Sequence, residues 1–398
     1  MASEVVRRRL GLVVALSVVG WAAPLGFCGQ TEPCEETKPL ELDVPYVPTQ
    51  EDAVTAMLKL AKVTSADYVF DLGCGDGRIV VTAAKDFKAR GFGADLDPER
   101  IKESNENAAK AGVTERVKFK LEDIFVTDVR EASVVALFLL ESVNLRLRPR
   151  LLSQLKPGAR VVSNTFTMGE WKADQVLRHE KAYGKVIYLW IVPAPVGGTW
   201  QWKTKTSGEE MANSLRLRQQ FQVVRGTVRF PGGGGVPITE VSLTGKKIQF
   251  TAAPTIAQKE VKIVYQGTVE GDTIQGTQRW LSGPSAGTYP WMATRDPLDV
   301  TGRWQISVRE HADRNGTLTI QRKDKSLLAT FAAADKPQEE VSLPGLYVWG
   351  SSIRFEIPND DSPVVFSGSL TADAGRGTVT GATVTKRANW TAKRVPSK

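Results

Sequence analysis

Three cysteines in 398 residues, Cys28, Cys34 and Cys74, form no CxxC pair, and only two histidines, His179 and His311, accompany them. A Cys/His zinc site needs several such ligands at short spacing, so no metal site is expected. Neither histidine lies near a nucleophile motif, which leaves a Ser-His-Asp hydrolase without its base. Long apolar runs are scarce as well. The one run, Leu10 to about Ala23, follows Arg7-Arg8-Arg9. It falls short of the roughly 20 residues a membrane-spanning helix needs. Residues 1–29 therefore read as a signal peptide or membrane anchor. The expected location is exported or envelope-associated, or cytoplasmic if the start site is mis-assigned.

Charge is unevenly placed. Residues 199–398 hold 26 Lys and Arg against 18 Asp and Glu, which accounts for the whole net charge of +8. The balanced front half has no electrostatic footprint for nucleic acid, and no such partner is expected. In the back half the basic residues are spread out rather than clustered, as on a solvated surface.

The chain changes character near residue 196. Before it, apolar β-rich runs (Ala66–Leu72, Gly91–Leu96, Val117–Leu121, Val134–Leu140, Arg160–Phe166, Val186–Val192) alternate with helix-like segments (Asp76–Lys88, Pro98–Ala111, Leu145–Leu155). That alternation predicts an α/β fold, a doubly wound and mostly parallel sheet, with Glu51–Ala61 as a helix lying across it. After residue 196 the helical period vanishes. Short alternating runs separated by Gly, Asn-Gly and Pro predict tandem all-β modules, each a barrel or sandwich of six to eight strands. Four landmarks recur in order about a hundred residues on. Gly198-Thr-Trp200 returns as Gly302-Arg-Trp304, Val241–Gly245 as Val341–Gly345, Gly267–Val269 as Gly368–Leu370, and Trp291–Arg295 as Trp390–Arg394. The Gly-x-Trp openings resemble those of lipocalin-like barrels, which implies a small-molecule cavity or a lid. A plain binding or targeting module is the simpler reading, and an envelope partner would bind there.

The chemistry-bearing motif is Val69-Phe-Asp71-Leu-Gly73-Cys-Gly75-Asp-Gly77-Arg78. It ends a strand and opens a helix, where α/β sheets bind ligands. Its G-x-G-x-G spacing differs from the dinucleotide fingerprint and suits a ligand without pyrophosphate. The glycines allow close backbone approach, and Asp71 can accept from a cationic amino group. Asp95, at the end of the next strand, can accept from two ribose hydroxyls. Asp123, after the third strand, can read an adenine edge. Three strand ends thus face an amino acid, a ribose and a base. Asp76 and Arg78 read more simply as the first turn of a helix, Cys74 as loop packing, and Trp171 as a core or lid aromatic rather than a pocket wall.

Over about residues 45–193 these features resemble the class I S-adenosylmethionine-dependent methyltransferases. Asp71–Gly77 is similar to that family's first motif, Asp95 to its ribose-binding acid and Asp123 to its adenine-side acid. Val44-Pro-Tyr-Val-Pro-Thr49 is similar to a segment in a bacterial group related to the mitochondrial lysine methyltransferases. The resemblance implies that this segment, with Tyr46 and Thr49, closes over the methionine end of the cofactor. Leu139–Asn144 stands at the fourth-strand motif, but Glu141 and Ser142 replace the expected proline and acid. Glu141 and Asn144 are the candidate catalytic residues. The expected cofactor is S-adenosylmethionine, the acceptor is open, and protein lysine leads by resemblance alone. The competing reading is an exported, non-catalytic binding protein that uses the same fold to hold a ligand or envelope partner. The predicted domains are 30–197 for the methyltransferase and 198–296 and 297–398 for the β modules.

Overall fold

The computed structural model describes residues 46–206, 209–256, 258–283, 285–295, 298–323, 326–343, 346–349, 352–358, 364–381 and 384–396. The residue 1–29 segment, Cys28, Cys34, Val44, Pro344 and Gly345 lie outside them. The described residues all fall within one compact unit.

Helix α1 (Glu51–Leu60) leads into β1 (Tyr68–Leu72), α2 (Arg78–Phe87), β2 (Arg90–Asp95), α3 (Pro98–Lys110), β3 (Val117–Leu121), β4 (Val134–Leu137), α4 (Glu141–Gln154), β5 (Arg160–Asn164), β6 (Gln175–Arg178) and β7 (Val186–Ile191). The strands form one sheet in the order β3-β2-β1-β4-β5-β7-β6. β1 to β5 run parallel, and β7 runs antiparallel to both β5 and β6. Val134 and Val135, adjacent on β4, are both buried and point to opposite faces. Val134 joins Met57 and Leu58 of α1 and Ile79 and Ala83 of α2. Val135 joins Val143, Leu147 and Leu151 of α4. Burial on both faces is why these strands read as continuous apolar runs. The start of α3 is set locally: Pro98 occupies the first turn, and the Asp97 carboxylate accepts from Glu99 N at 2.8 Å. β6 was not anticipated. Its Gln-Val-Leu-Arg text is largely exposed at the sheet edge and carries no burial pattern.

The second half opens with β8 (Gly198–Thr206), β9 (Glu209–Gln220), β10 (Val223–Arg229), β11 (Gly235–Thr244), β12 (Lys247–Ala252), β13 (Thr255–Ile256), β14 (Lys259–Glu260), β15 (Ile263–Glu270), β16 (Thr273–Trp280) and β17 (Gly287–Thr294). All but the β13–β14 ribbon form a closed eight-stranded barrel. Rings of Trp202, Phe250, Tyr265 and Trp291 pack on one another inside it, and burial pushes the Tyr265 hydroxyl pKa up.

The third region contains β18 (Gly302–Val308), β19 (Gly316–Lys323), β20 (Ser326–Ala333), β21 (Glu340–Ser342), β22 (Tyr347–Trp349), β23 (Ser352–Ile357), β24 (Val364–Leu370), β25 (Ala374–Gly381) and β26 (Val384–Val395). They form a nine-stranded sheet in the order β21-β20-β19-β18-β26-β25-β24-β23-β22. Among the described residues this sheet stays open between β21 and β22, where the first module's ring is closed by β11 against β12.

The repeated landmarks mark one device built twice. Trp200 Nε1 donates to Val196 O, and Trp304 Nε1 to Val300 O, both at 2.9 Å. The Arg295 guanidinium lies 4.5 Å from the Trp200 ring centroid, and that of Arg394 lies 5.3 Å from Trp304. Gly267 faces Gly276, and Gly368 faces Gly377, across paired strands beside Trp291 and Trp390. A Cβ on Gly276 or Gly377 would strike the carbonyl of Gln266 or Ser367.

Both modules touch the first sheet's domain. Ala194 N donates to Gly245 O at 2.7 Å, Gln222 Nε2 donates to Lys172 O at 2.6 Å, and the Phe221 ring stacks on Trp171. From the other module, β22 packs against α4.

Candidate functional site

The strand order reverses between β1 and β4, and a cavity opens there beyond the carboxyl ends of the strands. The backbone after β1 turns sharply, with Gly73, Gly75 and Gly77 at φ of 79°, 52° and 76°. Side chains other than glycine rarely adopt such values. A Cβ on Gly73 would also sit 2.9 Å from Leu139, and one on Gly75 would strike the Tyr46 ring. Helix α3 pins the turn from behind. Ser104 Oγ donates to Gly75 O at 2.7 Å, and Asn107 Nδ2 to Asp76 O at 3.0 Å.

Tyr46, Thr49, Asp71, Gly73, Gly75, Asp95 and Asp123 all line this cavity. Gly77 does not: it precedes α2, where a Cβ would meet Phe119 and Ser104, so its conformation and packing account for it. Glu141 and Asn144 do not line it either; they begin α4 just beyond Leu139, which does. Glu141 is exposed and accepts from Thr167 Oγ1. Asn144 is fully buried. Its Nδ2 makes long contacts, 3.3 to 3.5 Å, to Thr167 O, Phe166 O and Ser163 Oγ, and its Oδ1 has no partner.

The carboxylates differ in their surroundings. Asp95 Oδ2 accepts from Gly75 N at 2.9 Å and Oδ1 from Asp97 N at 3.0 Å, which fixes its orientation while lone pairs stay free. Asp123 Oδ1 accepts from Phe125 N at 2.8 Å. Asp71 is buried, and no hydrogen bond or ion pair from another described residue reaches its carboxylate. Burial first, and then the charges of Asp95 and Asp76, push its pKa well up. A partnerless buried carboxylate beside two further acids suits a cationic group and repels an anionic one. S-adenosylmethionine, with its ammonium, sulfonium and ribose hydroxyls and no phosphate, fits this set of acceptors.

Arg78, which reads in the sequence as a helix's first turn, and Arg100, which carries no signal there, also belong here. Arg78 forms a 2.5 Å ion pair with Asp76 and donates to Thr49 O at 2.9 Å, tying the glycine turn to the segment at 46–49. The Arg100 guanidinium lies 4.8 Å from the Tyr46 ring centroid, on the cavity wall. Lys/Arg spacing in the sequence gave no sign of either contact, because each spans separate elements. Cys74 is buried against Ser104, and burial, with Asp71 and Asp95 near, pushes its thiol pKa up, which suits packing rather than reactivity. Trp171 is buried between Trp190 and Phe221, at the join with the barrel rather than at the cavity.

Comparison with known proteins agrees with this geometry. Residues 71–175 match the model of the ANTKMT methyltransferase domain. A protein-lysine N-methyltransferase of Saccharolobus islandicus (strain REY15A) is 46% identical over 151 residues, 37% of this chain and 94% of that protein. The adenine nucleotide translocase lysine N-methyltransferase of Mus musculus is 33% identical, over 44% of this chain and 77% of that protein. A solved structure described as an RNA methyltransferase from Salinibacter ruber, in complex with S-adenosyl-L-homocysteine, is 46% identical over 37% of this chain and 94% of its own, with a TM-score of 0.36. The chain belongs to the class I S-adenosylmethionine-dependent methyltransferases. It is thus an enzyme of methyl transfer with S-adenosylmethionine as cofactor, and two all-β modules follow its catalytic domain.

Proposed function

We propose that the methyl acceptor is the side-chain amine of a protein lysine. The names of the relatives from Saccharolobus islandicus and Mus musculus support this. The observation that carries the cofactor site is the partnerless Asp71 carboxylate at the glycine turn. In this reading Asp71 holds the amino end of the cofactor, Asp95 the ribose and Asp123 the adenine side, while the 46–49 segment covers the methionine end. The cofactor supplies a methyl already activated by its sulfonium, so the protein's part is positioning and exclusion of water. The rim past Leu139 offers what a lysine needs. Phe138 stacks near Phe166 and Tyr183, giving aromatic faces for an aliphatic stem and its cation. Glu141, exposed at the start of α4, is the carboxylate nearest this rim to take a proton as the amine loses its charge, while Asn144, buried behind it, is a positioning residue at most.

Calorimetry of the full chain with S-adenosylmethionine tests the cofactor site. Asp71→Asn removes a charge-assisted contact and is expected to weaken binding about 10- to 100-fold. Because the raised pKa belongs to the free protein, affinity rises with pH as Asp71 ionises. Folding stability runs the other way: the neutral carboxyl is favourable below its unfolded value and that stability is lost as pH rises through the folded one, so Asp71→Asn stabilises the free protein at neutral pH. Unchanged binding in this variant would remove Asp71 from the site. The acceptor is tested by incubating the enzyme, methyl-labelled cofactor and a whole-cell extract, followed by hydrolysis. Label in methyl-lysine supports the proposal, and label in RNA or another amino acid overturns it. The non-catalytic alternative finds no support among the relatives. Export or envelope association is the matching proposal for residues 1–29, to be read from cell fractionation.

A further inference from the structure

A cleft of about 1100 Å³ lies between the two β modules, larger than the cavity at the glycine turn. Folding gathers there arginines that the sequence scatters. Arg216 and Arg218 of β9 line one wall, and Arg322 of β19 and Arg376 of β25 line the other. Around the shoulder of β9, Arg225 and Arg229 of β10 extend the same basic surface into an adjoining groove of about 580 Å³. All six are exposed, and none has an ion pair or hydrogen bond among the described residues. Arg218 and Arg225 stand directly opposite one another across β9 and β10. A like-charged cross-strand pair costs stability and is relieved by an anion. The cleft's own acids are already used: Asp272 pairs with Arg295 and Asp299 with Arg394, the two arginines lying over Trp200 and Trp304.

We infer that this cleft docks an extended acidic segment of a protein partner. Concavity argues against a lipid surface, since a flat bilayer cannot reach arginines on two facing walls. Grooves for single-stranded nucleic acid interleave cations with aromatic faces. Among the described residues no aromatic side chain lines the cleft; between the arginines lie aliphatic side chains such as Leu298, Leu327, Val348 and Leu370. An extended peptide presents alternate side chains to one face about every 6.6–6.8 Å. Arg216 and Arg218, two residues apart on one strand, repeat at that interval. A segment alternating Asp or Glu with aliphatic residues meets both the charges and the floor. This docking is a property of the β modules and stands whether or not lysine is the acceptor.

The test is fluorescence anisotropy on the full chain, with a labelled dodecapeptide alternating Glu and Ala as probe, at low and at raised salt. Saturable binding that weakens with salt is expected. R216A/R218A on one wall and R322A/R376A on the other should each weaken it about tenfold, with far-UV circular dichroism unchanged. Lys59→Ala, on the distant helix α1, should leave it unchanged. Absence of binding at low salt overturns the inference. So does tighter binding of a twelve-nucleotide oligouridylate or of phosphatidylglycerol vesicles, and so does equal loss in the Lys59 variant.

Discussion

The two β modules share one Trp–Arg–Gly device and differ in how their first and last strands meet and in whether the sheet closes. In the first, β8 and β17 meet at a single register pair, Gln201 with Thr294, while β11 and β12 complete the circle. In the second, β18 and β26 pair continuously from Arg303 with Val395 to Val308 with Trp390, and the circle opens at β21. The opening coincides with an extra hairpin. β23 takes the place of β12, pairing with β24 as β12 pairs with β15, and β22 folds back beside it. That added strand is the one that packs on α4 of the catalytic domain. The Trp–Arg–Gly device therefore joins the first and last strands of each module, while the seam opposite closes in one and in the other carries the strand that packs on α4.

If the device is equivalent in both copies, its removal should cost both alike. Trp200→Ala and Trp304→Ala are each expected to destabilise by about 3–5 kcal/mol in denaturant unfolding, and a large gap between them would break the comparison. Gly276→Ala and Gly377→Ala put a methyl group against the facing strand's backbone, and each should cost about 1–3 kcal/mol. The arginines sharpen the contrast. Arg295 donates to Gly197 O and Pro195 O and Arg394 to Ala372 O, Asp299 O and Thr301 O, but the Arg295 side chain is 10% exposed and that of Arg394 24%. Replacement by alanine should cost about 2 kcal/mol at Arg295 and about 1 at Arg394. The smallest effect probes the open seam. Tyr347 of β22 is half-buried, and burial pushes its hydroxyl to about 12. Tyr347→Ala should cost about 1 kcal/mol and let the second module melt apart from the catalytic domain, seen as a second calorimetric transition.

The sequence carried the sheet and its glycine turn because these rest on local constraints: buried runs, a proline at a first turn, and glycines at positive φ. It carried the repeat because the device places Gly, Trp and Arg at fixed spacing. β6 escaped because it lies largely exposed at the sheet edge and its four residues carry no burial pattern. The expected clustering of Glu141 and Asn144 with the cofactor residues gave way to a position just outside the cavity, since α4 begins only after Leu140. The arginine cleft was illegible for a different reason. Its members sit on four strands of two modules, up to 160 residues apart, and only the closure of both modules brings them to one place.

Helix α4 begins at the rim where the acceptor would enter and carries Arg148, Pro149 and Leu152 to a pocket shared with Tyr347 and Arg354 of the second module. Its 14 residues make a strut about 21 Å long between the cavity's rim and the second module. Pro149 withholds one N–H from its ladder. One helix thus has its first turn beside the cofactor cavity and its later turns against the second module, so the two regions share a single hydrogen-bonded ladder.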